Sequence, residues 1–276
     1  MKNDFFFLSI IIALTVFCVG CLDDSSSNTP TQLTTSPVPH QITVTTASTQ
    51  NLETGLTTRS YPYVLRGKSG AININLYSGV YDYIKQNPIK SYTDGYDYER
   101  QVLNNPVQNK YLQPLIVAIK GKTNNKDDQA RIAISLVQRV PYDNERVTIP
   151  RPYEVLFNNK GVCQDKSFLL AYILRELGYG VAFIHFSDEK HDAVGIKVSS
   201  QYDYQDTGYA FIETTQPTIP TVYSPILQSK PYIRKVSDGM SFDSISEEYN
   251  DAIKITASKT DMIAICQKYG FKCEVD

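Results

Sequence analysis

Tryptophan is absent from the 276-residue chain, and histidine occurs only three times, at His40, His185 and His191. Any chemistry that passes through an imidazole is therefore confined to those positions. Outside the N-terminal apolar segment there is no Cys-x-x-Cys pair. His-Glu-x-x-His and acidic calcium-loop patterns are also missing, so no metal is expected. Walker and dinucleotide glycine patterns do not occur either, which gives no cofactor. Gly178-Tyr179-Gly180 follows a helical stretch and reads as its stop. Charge of one sign is lacking as well: 27 Lys+Arg stand against 29 Asp+Glu, with a pI of about 6.0. No basic footprint for a polyanion results, and nucleic acid is excluded as the main partner. Glycosylation sequons of the Asn-x-Ser/Thr type are absent, so N-linked glycans are not expected.

What is present divides the chain into three parts. Residues Phe5 to Gly20 form an apolar run of 16 residues. That is short of the roughly 20 needed to span a membrane and suits a signal-peptide core. It ends in Cys18-Val19-Gly20-Cys21, which resembles a lipoprotein cleavage box with Cys21 as the lipid-bearing residue. The departure is Cys18, where an aliphatic residue is usual. The alternative is an uncleaved N-terminal anchor helix. Either way the chain is expected to be held at the cell membrane, facing the extracytoplasmic side. Between residues 25 and 60, 17 positions are Ser or Thr and only Glu53 and Arg59 are charged. Such a stretch has little apolar surface to offset its ordering entropy, so residues 22–60 read as a flexible stalk. His40 lies within it, away from any folded site. The folded domain is then expected over residues 61–276.

Within that domain, Ala71 to Tyr77 alternates and predicts a strand. Tyr96 to Ile119 predicts a helical region broken by Pro106 and Pro114. The segment Asp127 to Val140 repeats apolar residues at Ile132, Leu136 and Val140, with Asp127 as its expected cap and Pro141 as its stop. After Gly161-Val162-Cys163-Gln164-Asp165, the apolar positions from Phe168 to Leu177 cover most of a helix, which places that helix in the core. Three β-like runs follow, Val181–Phe186, His191–Val198 and Gly208–Thr215. They predict an antiparallel meander packed on the buried helix. The class is α+β. Residues 216–238 carry four prolines and read as irregular. Glu247–Ile255 and Asp261–Tyr269 read as helices.

A thiol at the start of a core helix is well placed for nucleophilic chemistry. The helix N-terminus favours the thiolate, and its N–H groups can hold an oxyanion. Taken alone, Cys163 reads equally well as a small buried hydrophobe. A thiolate enzyme also needs an imidazole and a group that orients it. His191 opens a strand 28 residues later, and Glu213 lies in the next one. Antiparallel pairing around the 199–207 loop would make them cross-strand neighbours. His185 sits mid-strand. Asp192 would point to the opposite face from His191, and Asp206 is a further competing acid. Tyr142 and Gln164 are both candidates to assist an oxyanion, and neither can be preferred.

These residues in this order are similar to a known family. Gly161-Val162-Cys163-Gln164-Asp165, the helix ending in Leu174-Arg175-Glu176-Leu177-Gly178, His191-Asp192 and Phe211-Ile212-Glu213-Thr214-Thr215 together resemble the transglutaminase-like core of the papain-related cysteine enzymes. The resemblance runs from about Ala130 to Pro217. It implies a papain-like core, with Cys163 as nucleophile, His191 as base and Glu213 as orienting acid. Three positions depart from the family pattern. The acid is Glu rather than Asp, the Trp after the His is replaced by Asp192 and Ala193, and the Trp before the acid strand is missing. The expected activity is thiol-dependent acyl transfer on a peptide or protein substrate, with hydrolysis as the default outcome. Protein cross-linking and a non-catalytic binding module, which the Tyr-rich stretch from Tyr77 to Tyr98 would suit, are the alternatives. With Cys18, Cys21 and Cys163 assigned, Cys266 and Cys273 remain. Outside the cytosol they are expected to form a disulfide, with Gly270 making the turn.

Overall fold

The computed structural model describes residues 51–145, 149–221, 227–255 and 259–272. The segment with the apolar run, Cys21 and His40 lies outside them, as does Cys273. The described chain opens with a hairpin of β1 (Leu56–Leu65) and β2 (Lys68–Tyr77), paired from Leu56↔Tyr77 to Leu65↔Lys68. Its two-residue turn, Arg66-Gly67, has φ of 46° and 77°. Positive φ at both positions is the type I′ geometry that matches the strand twist. Along β2 the buried Ile72, Ile74 and Leu76 alternate with exposed Ala71, Asn73 and Asn75, as the sequence pattern predicts. The hairpin does correct one boundary. Leu56 to Ser60 lie in β1, although their composition is that of a stalk.

Helices α1 (Ser78–Gln86), α2 (Gly95–Leu103), α3 (Pro106–Lys120), α4 (Lys126–Gln138), α5 (Pro152–Asn158) and α6 (Cys163–Glu176) follow. Of the two predicted breaks, Pro114 lies inside α3 and does not end it, whereas the other falls at Asn104-Asn105, between α2 and α3. There the Asn105 side chain accepts from Gln108 N, and Pro106 takes the first helical position, where its missing N–H costs nothing. The cap of α4 is Asn125, which accepts from Asp128 N, and not Asp127. The Asp127 carboxylate is used elsewhere, accepting from Tyr179 OH at 2.9 Å and Ser244 N at 2.8 Å.

Strands β3 (Val181–Phe186), β4 (His191–Lys197), β5 (Tyr209–Ile212) and β6 (Tyr232–Ser237) form one antiparallel sheet in the order β5-β4-β3-β6. The meander is the expected one, and β6 is an addition from the proline-rich stretch read as irregular. Both faces of the sheet are covered. Phe183, Val194, Ile196 and Ile212 join the main core with Phe168 and Leu169 of α6, while Ile184, Phe186, Ala193 and Phe211 pack with Tyr204 and Leu227 on the other side. Burial on both faces explains why β3 reads as a nearly continuous apolar run. A short 3-10 turn (Asp243–Ile245), α7 (Ser246–Lys254) and α8 (Lys259–Tyr269) complete the described chain. They dock on the hairpin turn through Gly67 N to Lys268 O at 2.9 Å and an Arg66–Glu247 ion pair at 2.9 Å. Among the described residues no helix is long and apolar enough to cross a membrane.

Candidate active site

The approach to α6 is built by local hydrogen bonds. Val162 is extended, and its N–H donates to the Asp165 carboxylate at 3.0 Å, which fixes the first turn. Gly161 exchanges backbone bonds with the preceding loop, Gly161 N to Pro141 O at 3.1 Å and Asp143 N to Gly161 O at 3.3 Å. Tyr142 is thereby held beside the turn that leads to Cys163. A Cβ on Gly161 would lie 3.1 Å from Asp165 Cβ and 3.4 Å from Val155 Cγ1, so glycine lets the turn pack against both α5 and its own helix. Cys163 is the first residue of α6, outside any disulfide and 2% exposed. An α-helix leaves its first N–H groups outside its own ladder, and those of Cys163 and Gln164 lie at this end. Gln164 and Tyr142 are both half-buried.

His191 and Glu213 meet. His191 Nε2 lies 2.8 Å from Glu213 Oε2, and both side chains are buried. The register pairs Val194 with Ile212, so Glu213 is opposite Ala193 and diagonal to His191, rather than directly across from it. A diagonal gap between side chains is wider than a direct one, and the long Glu side chain closes it. The other carboxylate oxygen, Oε1, accepts from Thr214 N at 2.9 Å, Thr215 N at 2.8 Å and Thr215 Oγ1 at 2.7 Å. Burial alone would raise this acid, but the His191 ring and the Thr215 donors overcome it and hold the carboxyl at about 2. An ionised carboxylate only accepts, so His191 Nε2 carries a proton, and in the neutral form of the ring Nδ1 keeps the lone pair. Phe186 lies beside the ring, with centroids 6.4 Å apart.

Side chains between these residues tie them to the helix. Thr214 Oγ1 donates to Cys163 O at 3.4 Å, and Ser167, one turn into α6, donates to Asp192 O at 3.3 Å. Gln138 Nε2 donates to Glu213 O at 2.9 Å. Lys166 is fully buried, with its ammonium on main-chain carbonyls at the end of α4 and at Thr215. None of these supports was anticipated from sequence. Lys166 carries no signal either, because it stands among the polar Gln164, Asp165 and Ser167, ahead of the apolar positions of α6.

The competing residues are placed elsewhere. His185 Nδ1 bonds to Asp192 Oδ1 at 2.7 Å on the sheet face opposite His191. Its pKa is raised by that hydrogen bond. Beside this pair the buried Glu99 meets Arg234 at 3.0 Å, and burial lifts Glu99 to about 7. Asp206 is exposed in the β4–β5 loop. Among the described residues no group of His, Cys, Asp and Glu is arranged to hold a metal ion. Cys266 is buried on α8, while Cys273 lies outside the described residues. A family model described as a transglutaminase-like domain matches residues 72–222, from β2 past the residue that follows β5. No curated protein matches the chain.

Proposed function

The chain belongs to the transglutaminase-like domain family, and on that premise we propose that it is a thiol-dependent acyl-transfer enzyme with Cys163 as nucleophile, His191 as base and Glu213 as orienting acid. The observation that carries this reading is the buried His191–Glu213 bond, whose acid is held ionised by the His191 ring and the Thr215 donors. His191 Nδ1 takes the thiol proton, and the sulfur attacks the carbonyl carbon of a peptide or amide. As the C–S bond forms, the carbonyl electron pair moves to oxygen, where the first N–H groups of α6 receive it. The oxyanion collapses, the C–N bond breaks, and the imidazolium gives its proton to the leaving amine. Water, deprotonated by His191, then cleaves the thioester and regenerates the thiol. Hydrolysis makes this a cysteine peptidase or amidase of the papain-like kind. Cross-linking would require a site that keeps water from the thioester.

A second reading, a binding module that does no chemistry, is favoured by one fact: Cys163 is 2% exposed and His191 8%. Alkylation separates the two. In the folded protein near neutral pH, iodoacetamide should label Cys163, and Cys163→Ala should abolish acyl-enzyme formation by mass spectrometry. Labelling that appears only in denaturant would leave the binding module.

We also propose that Cys21 carries a lipid that holds the domain at the extracytoplasmic face of the cell membrane, supported by the short apolar run that ends at that residue. Cys21→Ser should release the protein from the membrane fraction or leave an uncleaved precursor. Normal processing with unchanged membrane association would refute the lipid. On the same side of the membrane Cys266 and Cys273 would be oxidised, and two free thiols in non-reducing peptide mapping would count against that location.

A further inference from the structure

Lys166 is the group beside the site that the mechanism above leaves unused. It is fully buried, one turn along α6 from Cys163, and its Nζ donates to Val140 O at 2.7 Å, Thr215 O at 3.1 Å and Gln138 O at 3.3 Å. A neutral amine has two N–H bonds and an ammonium three, so three carbonyl acceptors select the charged form. Two of the carbonyls lie at the end of α4 and just beyond it, where a helix leaves its last C=O groups outside the ladder and favours a cation. Burial works against the charge and pulls the lysine down to about 7, while Glu213 and Cys163 pull it back up.

Two residues are shared between this ammonium and Glu213, one at its carboxylate and one at its main-chain carbonyl. Thr215 gives its carbonyl to Lys166, and its N–H and hydroxyl to Glu213. Gln138 gives its carbonyl to Lys166 and donates its side-chain amide to Glu213 O. Charge counting then assigns a role. A buried carboxylate without an opposite charge is costly and responds by taking a proton. While His191 is an imidazolium, it balances Glu213. When the ring has passed its proton to the leaving group, the balance must come from elsewhere, and the ammonium behind Thr215 supplies it.

Resting on the catalytic reading above, we propose that Lys166 is a positioning residue, whose ammonium keeps Glu213 ionised and Thr215 in place through the part of the cycle in which His191 is neutral.

The test reads Glu213 directly. In the full-length chain with carboxyl-13C glutamate, the Glu213 resonance is assigned by its loss in Glu213→Gln, then titrated in His191→Gln with and without Lys166→Met, where no imidazolium can balance the acid. The midpoint is expected to rise by about one pH unit or more with Lys166→Met, and the acid limb of Cys163 alkylation, read with His191 in place, should move up with it. An unmoved midpoint with folded Lys166→Met overturns the proposal, since both the charge and the hold on Thr215 would then be without effect on Glu213. If Lys166→Met does not fold, Lys166→Met with Glu213→Gln decides the matter. Recovery of folding in that double variant supports charge balance, and a double variant as unfolded as the single one overturns it. The titration does not depend on turnover. An inert Cys163 would sink the catalytic reading whatever Glu213 does, whereas a reactive Cys163 with an unmoved Glu213 midpoint would remove only the role given to Lys166.

Discussion

Glu213→Gln is expected to fold and to lose about four orders of magnitude in turnover on a small amide or ester, as removal of an orienting carboxylate does in other triads. The amide can turn its NH2 toward His191 Nε2, which forces the ring into the other tautomer and takes the lone pair from Nδ1. It also removes the charge that stabilises the imidazolium. Glu213→Asp should fall between Gln and wild type. Its charge survives, but a side chain one methylene shorter cannot span the diagonal to His191 at 2.8 Å and still accept from both Thr214 N and Thr215 N. Stability will carry the same signature. The folded Glu213 titrates at about 2 against an ordinary 4.5, so its contribution is present above the ordinary value and lost as pH falls from there toward 2. Wild type should therefore lose more stability over that window than Glu213→Gln does. If wild type, Asp and Gln react alike while Cys163→Ala is dead, Glu213 has no part in the chemistry.

The largest loss of stability is expected from Arg131→Met. The buried guanidinium pairs with Glu248 through Nε and Nη2, meets Asp128 Oδ1 at 3.0 Å and Ser244 Oγ at 2.8 Å, and lies 4.9 Å from the centre of the Phe242 ring. Glu248 is 1% exposed, and burial raises its pKa even with the arginine present. Losing the cation strands that carboxylate, at a cost of about 3–5 kcal/mol. For a domain of this size the corresponding fall in Tm is about 10 °C. Arg131→Met combined with Glu248→Leu should recover most of it, because an apolar pair of similar volume avoids both desolvation costs. Equal melting temperatures for the two variants would show that the ion pair is not what holds α7 to α4.

The contrast between the legible and illegible parts of the chain is physical. Helix α6 and strands β3 to β5 were readable because each buries apolar residues with its own period, and the cysteine, histidine and acid stand out as polar residues at the ends of such elements. Helix α5 escaped because seven residues are too few to show a period. Strand β6 escaped because Pro231 and its neighbours signal irregular chain, while its place at the sheet edge is set by partners on β3. The Arg66-Gly67 turn lacks the Asn-Gly or Asp-Gly signature that marks a type I′ hairpin, so Leu56 to Ser60, the first half of β1, read as part of the Thr-rich segment before it. The supports of the site were harder still. Gln138 is an ordinary polar residue whose role arises from a bond 75 positions away, to Glu213, while Thr214 and Thr215 bond the neighbouring Glu213 carboxylate through donors that no sequence period marks.

The hairpin has a mechanical consequence. Leu56 pairs with Tyr77 at one end of a ten-residue ladder, and the Arg66 turn at the other end is riveted to α4 and α7 by Asp128 and Glu247. At about 3.3 Å per residue, roughly 30 Å separates those ends. Tension arriving from the residues before Leu56 first meets the bonds that Thr54 O and Gly55 O accept from Gly79 N and Ser78 N at the start of α1, and then this ladder. Pulled along the strand, the ladder's hydrogen bonds share the load and must yield together, whereas a pull across it opens them one after another from the Leu56–Tyr77 end. The direction in which the preceding segment leaves Leu56 therefore sets how much force the domain withstands before β1 peels away.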